Sequence, residues 1–124
     1  MAARWSRAPF LFADDIMQDA HNLQRGMAIT LLNNLQLLSP VLSGRYRSNH
    51  IVSFGSPDYR YTDNVGGMGE AFNAIQGLTA NELPVIYVQN NLPYAQALED
   101  GWSRTQAPQG VYSLAYEAMV ASYT

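Results

Sequence analysis

Apolar positions follow a helical period in the first third of the chain, alternate in the middle, and return to a helical period at the end. Over residues 14–38, Ile16, Ala20, Leu23, Met27, Leu31, Leu35 and Leu38 recur three and four apart, which predicts one apolar face of an α-helix. Asp14 and Asp15 at its start suit the positive end of the helix dipole. Pro40 lacks an N–H and cannot lie inside, so the helix ends by Leu38 or Ser39. Gly26 is a weak point of about 1 kcal/mol relative to Ala and points to close packing against a neighbour. His21 sits about one residue off the stripe. Before this helix, residues 1–12 (MAARWSRAPFLF) have no period. Pro9 and the flanking aromatics predict an extended arm, poorly ordered alone and ordered in an assembly.

Residues 44–54 alternate. Tyr46, Ser48, His50, Val52 and Phe54 face one way and Arg45, Arg47, Asn49, Ile51 and Ser53 the other, the pattern of a half-buried strand. Gly, Pro, Asp and Asn punctuate residues 55–69 (GSPDYRYTDNVGGMG), a long loop of the kind that contacts a partner. A short helix over residues 70–78 would bury Ala71, Ala74, Ile75 and Leu78. Residues 84–89 read as a second strand, and the run Val85-Ile86-Tyr87-Val88 predicts burial on both faces. A last helix is expected over residues 110–122, with Val111, Leu114, Ala115, Ala118 and Met119 as its apolar stripe. The order predicts an α+β fold, helices packed on a small, mostly antiparallel β-sheet, in one domain spanning residues 1–124.

Composition sharpens the picture. Charge is sparse at 14%, every cation is Arg, and eight Tyr stand among many Asn, Gln, Ser and Thr. Tyr and Arg are enriched at protein interfaces and Lys is depleted there. A net charge of −3 argues against a dedicated nucleic-acid binder, which carries a basic stripe. The absence of Cys excludes disulfides and thiolate metal sites. No long apolar run and no leader pattern is present, so the expectation is a soluble protein made in a cytoplasm, with no membrane.

Catalytic constellations do not assemble from the pattern. Glu99 and Asp100 are adjacent, so on a regular element they point apart and cannot share a substrate as a glycosidase pair does. His21 and His50 lack the spacing of metal ligands, and His50 reads as a buried, hydrogen-bonded core histidine. Gly66-Gly67-Met68-Gly69 lacks the Lys of a phosphate-binding loop. No catalytic, metal or cofactor residue is therefore expected. Interface candidates are Arg45 and Arg47 on a shared strand face, Tyr59 and Tyr61 in the long loop, Tyr94, Glu99, Trp102 and Arg104. Glu99 would be structural, pairing with Arg104 or with an Arg of a neighbouring subunit. Trp102, with Pro93 and Tyr94, is the best hot-spot candidate.

Residues 90–110 read NNLPYAQALEDGWSRTQAPQG. This run resembles the signature of the tail-completion or neck proteins of long-tailed phages, the head–tail joining component. Ser39-Pro40-Val41 with Ser43-Gly44-Arg45, and Val85-Ile86-Tyr87-Val88, match in the expected order, so the likeness spans residues 14–121. The chain departs at Asp100, where relatives tend to carry an aromatic residue, and at His50, where they usually carry Trp. The resemblance implies the same α+β architecture and a structural virion protein without enzymatic activity. It also implies a homo-oligomeric ring, a hexamer rather than a dodecamer, around the DNA channel. Partners would be connector-side proteins and tail-terminator or tail-tube proteins, with DNA passing the lumen without sequence-specific binding. The rival reading is a small hydrolase or ligand-binding domain using Glu99, Asp100 and His50, which needs those residues to converge on one pocket.

Overall fold

The computed structural model describes residues 9–39, 44–63, 65–79, 83–99 and 110–124. Its element order is α1 (Pro9–Leu38), α2 (Arg45–Ser48), β1 (His50–Phe54), α3 (Gly69–Gln76), β2 (Ile86–Asn90), α4 (Ala95–Glu99) and α5 (Tyr112–Ser122). The fold is α+β: long and short helices pack on a two-stranded antiparallel sheet.

The first helix is longer than its periodicity predicts, and it is turned. It starts at Pro9, so residues 9–12 belong to it rather than to an extended arm, and Asp14 and Asp15 are no longer at its start. Pro is well placed on a first turn, where its missing N–H would have no helical partner and its fixed φ is already helical. The remainder of the expected arm, residues 1–8, lies outside the described residues. The buried face carries His21, Ala28, Leu32, Leu35 and Ser39, while Ile16 and Leu23 of the predicted stripe are each 53% exposed. The stripe was thus off by about one residue, or 100° of rotation. Both α5 and α3 pack against α1, and the inward face is the one that meets them. Asn34 Nδ2 donates to Ala115 O at 3.2 Å, and Thr30 Oγ1 lies 3.3 Å from Tyr123 Oη, which set α5 antiparallel along the C-terminal half of α1. Gly26 does mark a close approach: a Cβ there would stand 2.8 Å from the Tyr123 hydroxyl.

The expected strand over residues 44–54 divides in two. Gly44 adopts φ +76°, and residues 45–48 then make one helical turn, with Ser48 N–H on Gly44 O at 3.0 Å. Tyr46 and His50 are both buried and stack edge-on at 4.9 Å, so the sequence alternation hid an i, i+4 pair. Arg45 and Arg47 consequently share no strand face. The true strand pairs with β2 in the register His50↔Asn90 to Phe54↔Ile86. Val52, Ile86 and Val88 pack on the core, whose fully buried centre is Leu32, Leu35, Ile75 and Val111. The expectation that the second strand is buried on both faces fails. All five residues of β2 are half-buried, and Val85, just before it, is exposed. A two-stranded sheet has a core face and an outer face, and helices cover only the first. The short helix α3 buries Ala71 and Ile75 but not Ala74 or Leu78, and α5 buries Ala115 and Met119 while Ala118 is exposed.

Candidate functional site

On the outer face of the hairpin, three side-chain amides hold an extended stretch of the long loop. Asn49 uses both ends of its amide on Thr62: Thr62 N–H donates to Oδ1 at 2.7 Å, and Nδ2 donates to Thr62 O at 2.9 Å. The same Nδ2 reaches Arg45 O at 2.7 Å. Gln89 Oε1 accepts from Asp58 N–H at 2.8 Å, and Asn91 Nδ2 donates to Asp58 O and Arg60 O at 2.7 and 2.9 Å. The backbone is therefore tied at residues 58, 60 and 62, and the two residues between them are turned outward. Tyr59 is 73% and Tyr61 51% exposed. Arg45 closes the far side, pairing with Asp63 at 2.9 Å and lying 6.0 Å over the Tyr61 ring. Arg60 bridges Asp58 and Glu70, at 2.8 and 3.6 Å. These surface ion pairs contribute little by themselves, about 0–1 kcal/mol each. What matters is the placement: two amphipathic rings are displayed on a loop whose backbone is already fixed.

A second polar assembly lies inside. His50, 4% exposed, has Nε2 2.7 Å from Ser39 Oγ and Nδ1 2.6 Å from Tyr112 Oη. Ser39 has one hydroxyl proton and spends it on Leu35 O at 2.5 Å, so its oxygen must accept from His50 Nε2–H. That fixes the tautomer, and Nδ1 then accepts the Tyr112 proton. Burial, and then the Arg47 charge, push His50 down to a pKa of about 3. It is neutral and fully used as a bridge between the end of α1, β1 and α5, as the expectation of a core histidine holds. Tyr112 is held well above the usual phenol range by burial, with the neighbouring Tyr46 hydroxyl and Glu99 carboxylate adding to it.

Glu99 ends α4 and caps α5 from a distance. Its Oε1 accepts from Val111 N–H at 3.1 Å and Tyr112 N–H at 2.7 Å; its Oε2 accepts from Ser113 N–H at 2.9 Å and Ser113 Oγ at 2.6 Å. Partial burial raises its pKa, but these hydrogen bonds outweigh it and hold the carboxylate below its ordinary value. Gly110 makes the clasp possible: at φ +89°, a Cβ there would meet Glu99 O at 2.6 Å. Where pairing with Arg104 or a neighbour's Arg was expected, the described bonds of Glu99 make it a helix cap within the chain. The missing local signal was itself informative, because α5 has no side-chain cap at its own N-cap position, Val111.

Of the other candidates, Tyr94 is partly exposed, its ring tilted 6.3 Å from that of Tyr46. Arg47 is half-buried beside His50, with Nε unpartnered among the described residues. Asp100, Trp102 and Arg104 lie outside the described residues, although Glu99 and Gly110 bring the ends of that stretch together. The convergence that a hydrolase would need is partly met, since Glu99 and His50 both bind Tyr112, one at its N–H and the other at its hydroxyl. Among the described residues they line different hollows. His50 lines a hollow of about 320 Å3 beside β1, and Glu99 lines a shallower one of about 250 Å3 with Tyr46, Asn90 and Tyr112. Among the described residues, no cluster of His, Asp and Glu could hold a metal, and no helix is long and apolar enough to cross a membrane. Compared with known protein families, curated proteins and solved structures, the chain matches none.

Proposed function

We propose that this chain is a structural subunit of a tailed-phage neck, acting by protein–protein contact rather than catalysis. It joins head and tail as a homo-oligomeric ring around the DNA channel, six copies fitting a six-fold tail better than twelve. The neck assignment is supported by the ordered motifs that end in the 90–110 run. The observation that carries the contact role is the displayed pair Tyr59 and Tyr61. Exposed aromatic rings on a backbone pinned by Asn49, Gln89 and Asn91 lose little entropy on docking, which is what a hot spot requires. A closed ring joins one patch to a different patch on the next copy, and the exposed Ile16 and Leu23 of α1 offer apolar surface for the second. The chain's net charge of −3 suits a lumen that repels phosphate and lets DNA slide.

The test is assembly. Native mass spectrometry and electron microscopy of the purified protein, alone and with connector and tail-tube proteins, should give closed rings. Tyr59→Ser with Tyr61→Ser should keep the wild-type melting temperature and lose the ring. A protein that stays monomeric with every partner, or a double variant that assembles normally, overturns the reading.

A further inference from the structure

The shallower hollow, of about 250 Å3, gathers groups that can accept hydrogen bonds but have little left to donate. Tyr46 lines it and is 3% exposed, and its hydroxyl has no hydrogen-bond partner. Unsatisfied buried hydroxyls are few in native proteins, and each costs stability. Tyr112 lines the hollow too and has given its one proton to His50 Nδ1, so towards any further group its oxygen can only accept. Asn91 spends both amide protons on Asp58 O and Arg60 O, which leaves its carbonyl oxygen. Glu99 is bonded to the start of α5 and remains a carboxylate. No Arg is among the described residues that line this hollow. Acceptors, a negative charge and two tyrosines on one concave wall disfavour an anion and suit a cation rich in N–H groups.

We propose that the hollow between Tyr46, Asn91, Glu99 and Tyr112 binds a guanidinium group. A guanidinium offers five N–H donors in a flat fork, so it can serve acceptors on several sides of a site at once, and its face stacks on tyrosine. An ammonium has three donors and holds its water more strongly, so it is the poorer fit. The volume equals that of about eight waters, room for the head group and a short stem. The Tyr46 hydroxyl is shut off from solvent in this structure, so contact with it requires the lining beside Tyr46 to part slightly. A donor arriving there would satisfy the one hydroxyl of the hollow that the fold leaves unpaired. The same chemistry reaches the site on a free guanidine or on an arginine side chain of another protein. The inference is independent of the neck assignment, since such a pocket needs no ring.

The experiment titrates the isotope-labelled full chain with ethylguanidinium and, separately, with N-acetyl-arginine N-methylamide, followed by amide NMR at millimolar ligand. Expected are saturable shifts at Val88, Asn91 and Ala95, with none at Ala71 and Ala74 beside the other hollow. Ethylurea keeps the shape without the charge and ethylammonium the charge without the fork, and each should bind roughly tenfold more weakly. Tyr46→Phe, which should fold at least as stably as the wild type, should also weaken binding about tenfold. Tighter binding of the blocked arginine assigns the source to a protein side chain, and tighter binding of ethylguanidinium to a free molecule. The proposal is overturned by the absence of saturable shifts with both ligands, by ethylurea binding as well, or by Tyr46→Phe binding as wild type. Ethylammonium binding as tightly overturns the choice of guanidinium. Arg104 lies five residues beyond Glu99 in the sequence. Arg104→Ala should leave the affinity unchanged, and a large gain would overturn an external ligand in favour of the chain's own arginine.

Discussion

Tyr46 carries a buried hydroxyl with no hydrogen-bond partner among the described residues, close to the Glu99 carboxylate. Burial, then the Glu99 charge and Tyr94, raise its pKa far above the ordinary phenol value, so it is never ionised in the native state. An unpaired buried hydroxyl gives nothing back for its desolvation, so Tyr46→Phe should be stabilising by about 1 kcal/mol in urea unfolding. A loss of that size instead would mean the hydroxyl is satisfied. His50 sets a pH dependence. Its folded pKa of about 3 lies below the ordinary imidazole value of 6.5, so between these values the unfolded chain binds a proton that the native chain refuses. Stability should therefore be full above pH 6.5 and fall as pH drops towards 3, by at most about 1.4 kcal/mol per unit. Glu99, also depressed, acts in the same direction once pH falls below 4.5, its stabilisation being lost as it protonates. Urea midpoints between pH 7 and 4 should show the decline, and His50→Gln should flatten its upper part.

At the scale of elements, α5 depends on a cap that its own sequence does not contain. Glu99→Gln keeps a carbonyl acceptor but loses the charge that faces three backbone N–H groups, so a cost of about 1–2 kcal/mol is expected. Its signature is faster amide exchange at Val111, Tyr112 and Ser113 with little change in α1. Gly110→Ala should be worse, since it combines positive φ with a collision against Glu99 backbone. The loop over residues 58–62 is an element of a different kind, a strand-like stretch paired with side chains instead of a neighbouring strand. Asn49→Ala removes both of its bonds to Thr62 and should free the loop, with increased motion of Tyr59 and Tyr61 in NMR relaxation. If the tyrosines are the docking pair, ring assembly should weaken even though neither ring is touched.

For the whole molecule, the polar interior links what the short hairpin cannot hold by itself. A two-stranded sheet is marginal in water and takes its stability from the helices against it. The Leu35–Ser39–His50–Tyr112 chain of hydrogen bonds joins the end of α1, β1 and the start of α5, while Glu99 joins α4 to α5. Loss of either joint should be felt beyond its own element. On the proposed contact role of the outer surface, removal of both displayed tyrosines should weaken ring closure by more than 2 kcal/mol, about thirtyfold, with the melting temperature unchanged.

The sequence by itself determined the α+β class, the end of α1 before Pro40, the existence of α3 and α5, the buried role of His50 and the position of the long loop. Each follows from local rules: the period of apolar residues, the missing N–H of proline, the turn-forming residues. Tertiary structure alone decided which face of α1 is inside, because that face is set by the packing of α3 and α5 against it. It alone turned residues 45–48 into helix, since Tyr46 reaches the core four residues before His50. The same holds for Asn49, Gln89 and Asn91, whose partners lie in the distant loop, and for Glu99, which caps a helix starting 13 residues on. Interactions within one turn or one strand leave a period in the sequence. A hydrogen bond across the fold between two polar side chains, or from one to a distant backbone, leaves none.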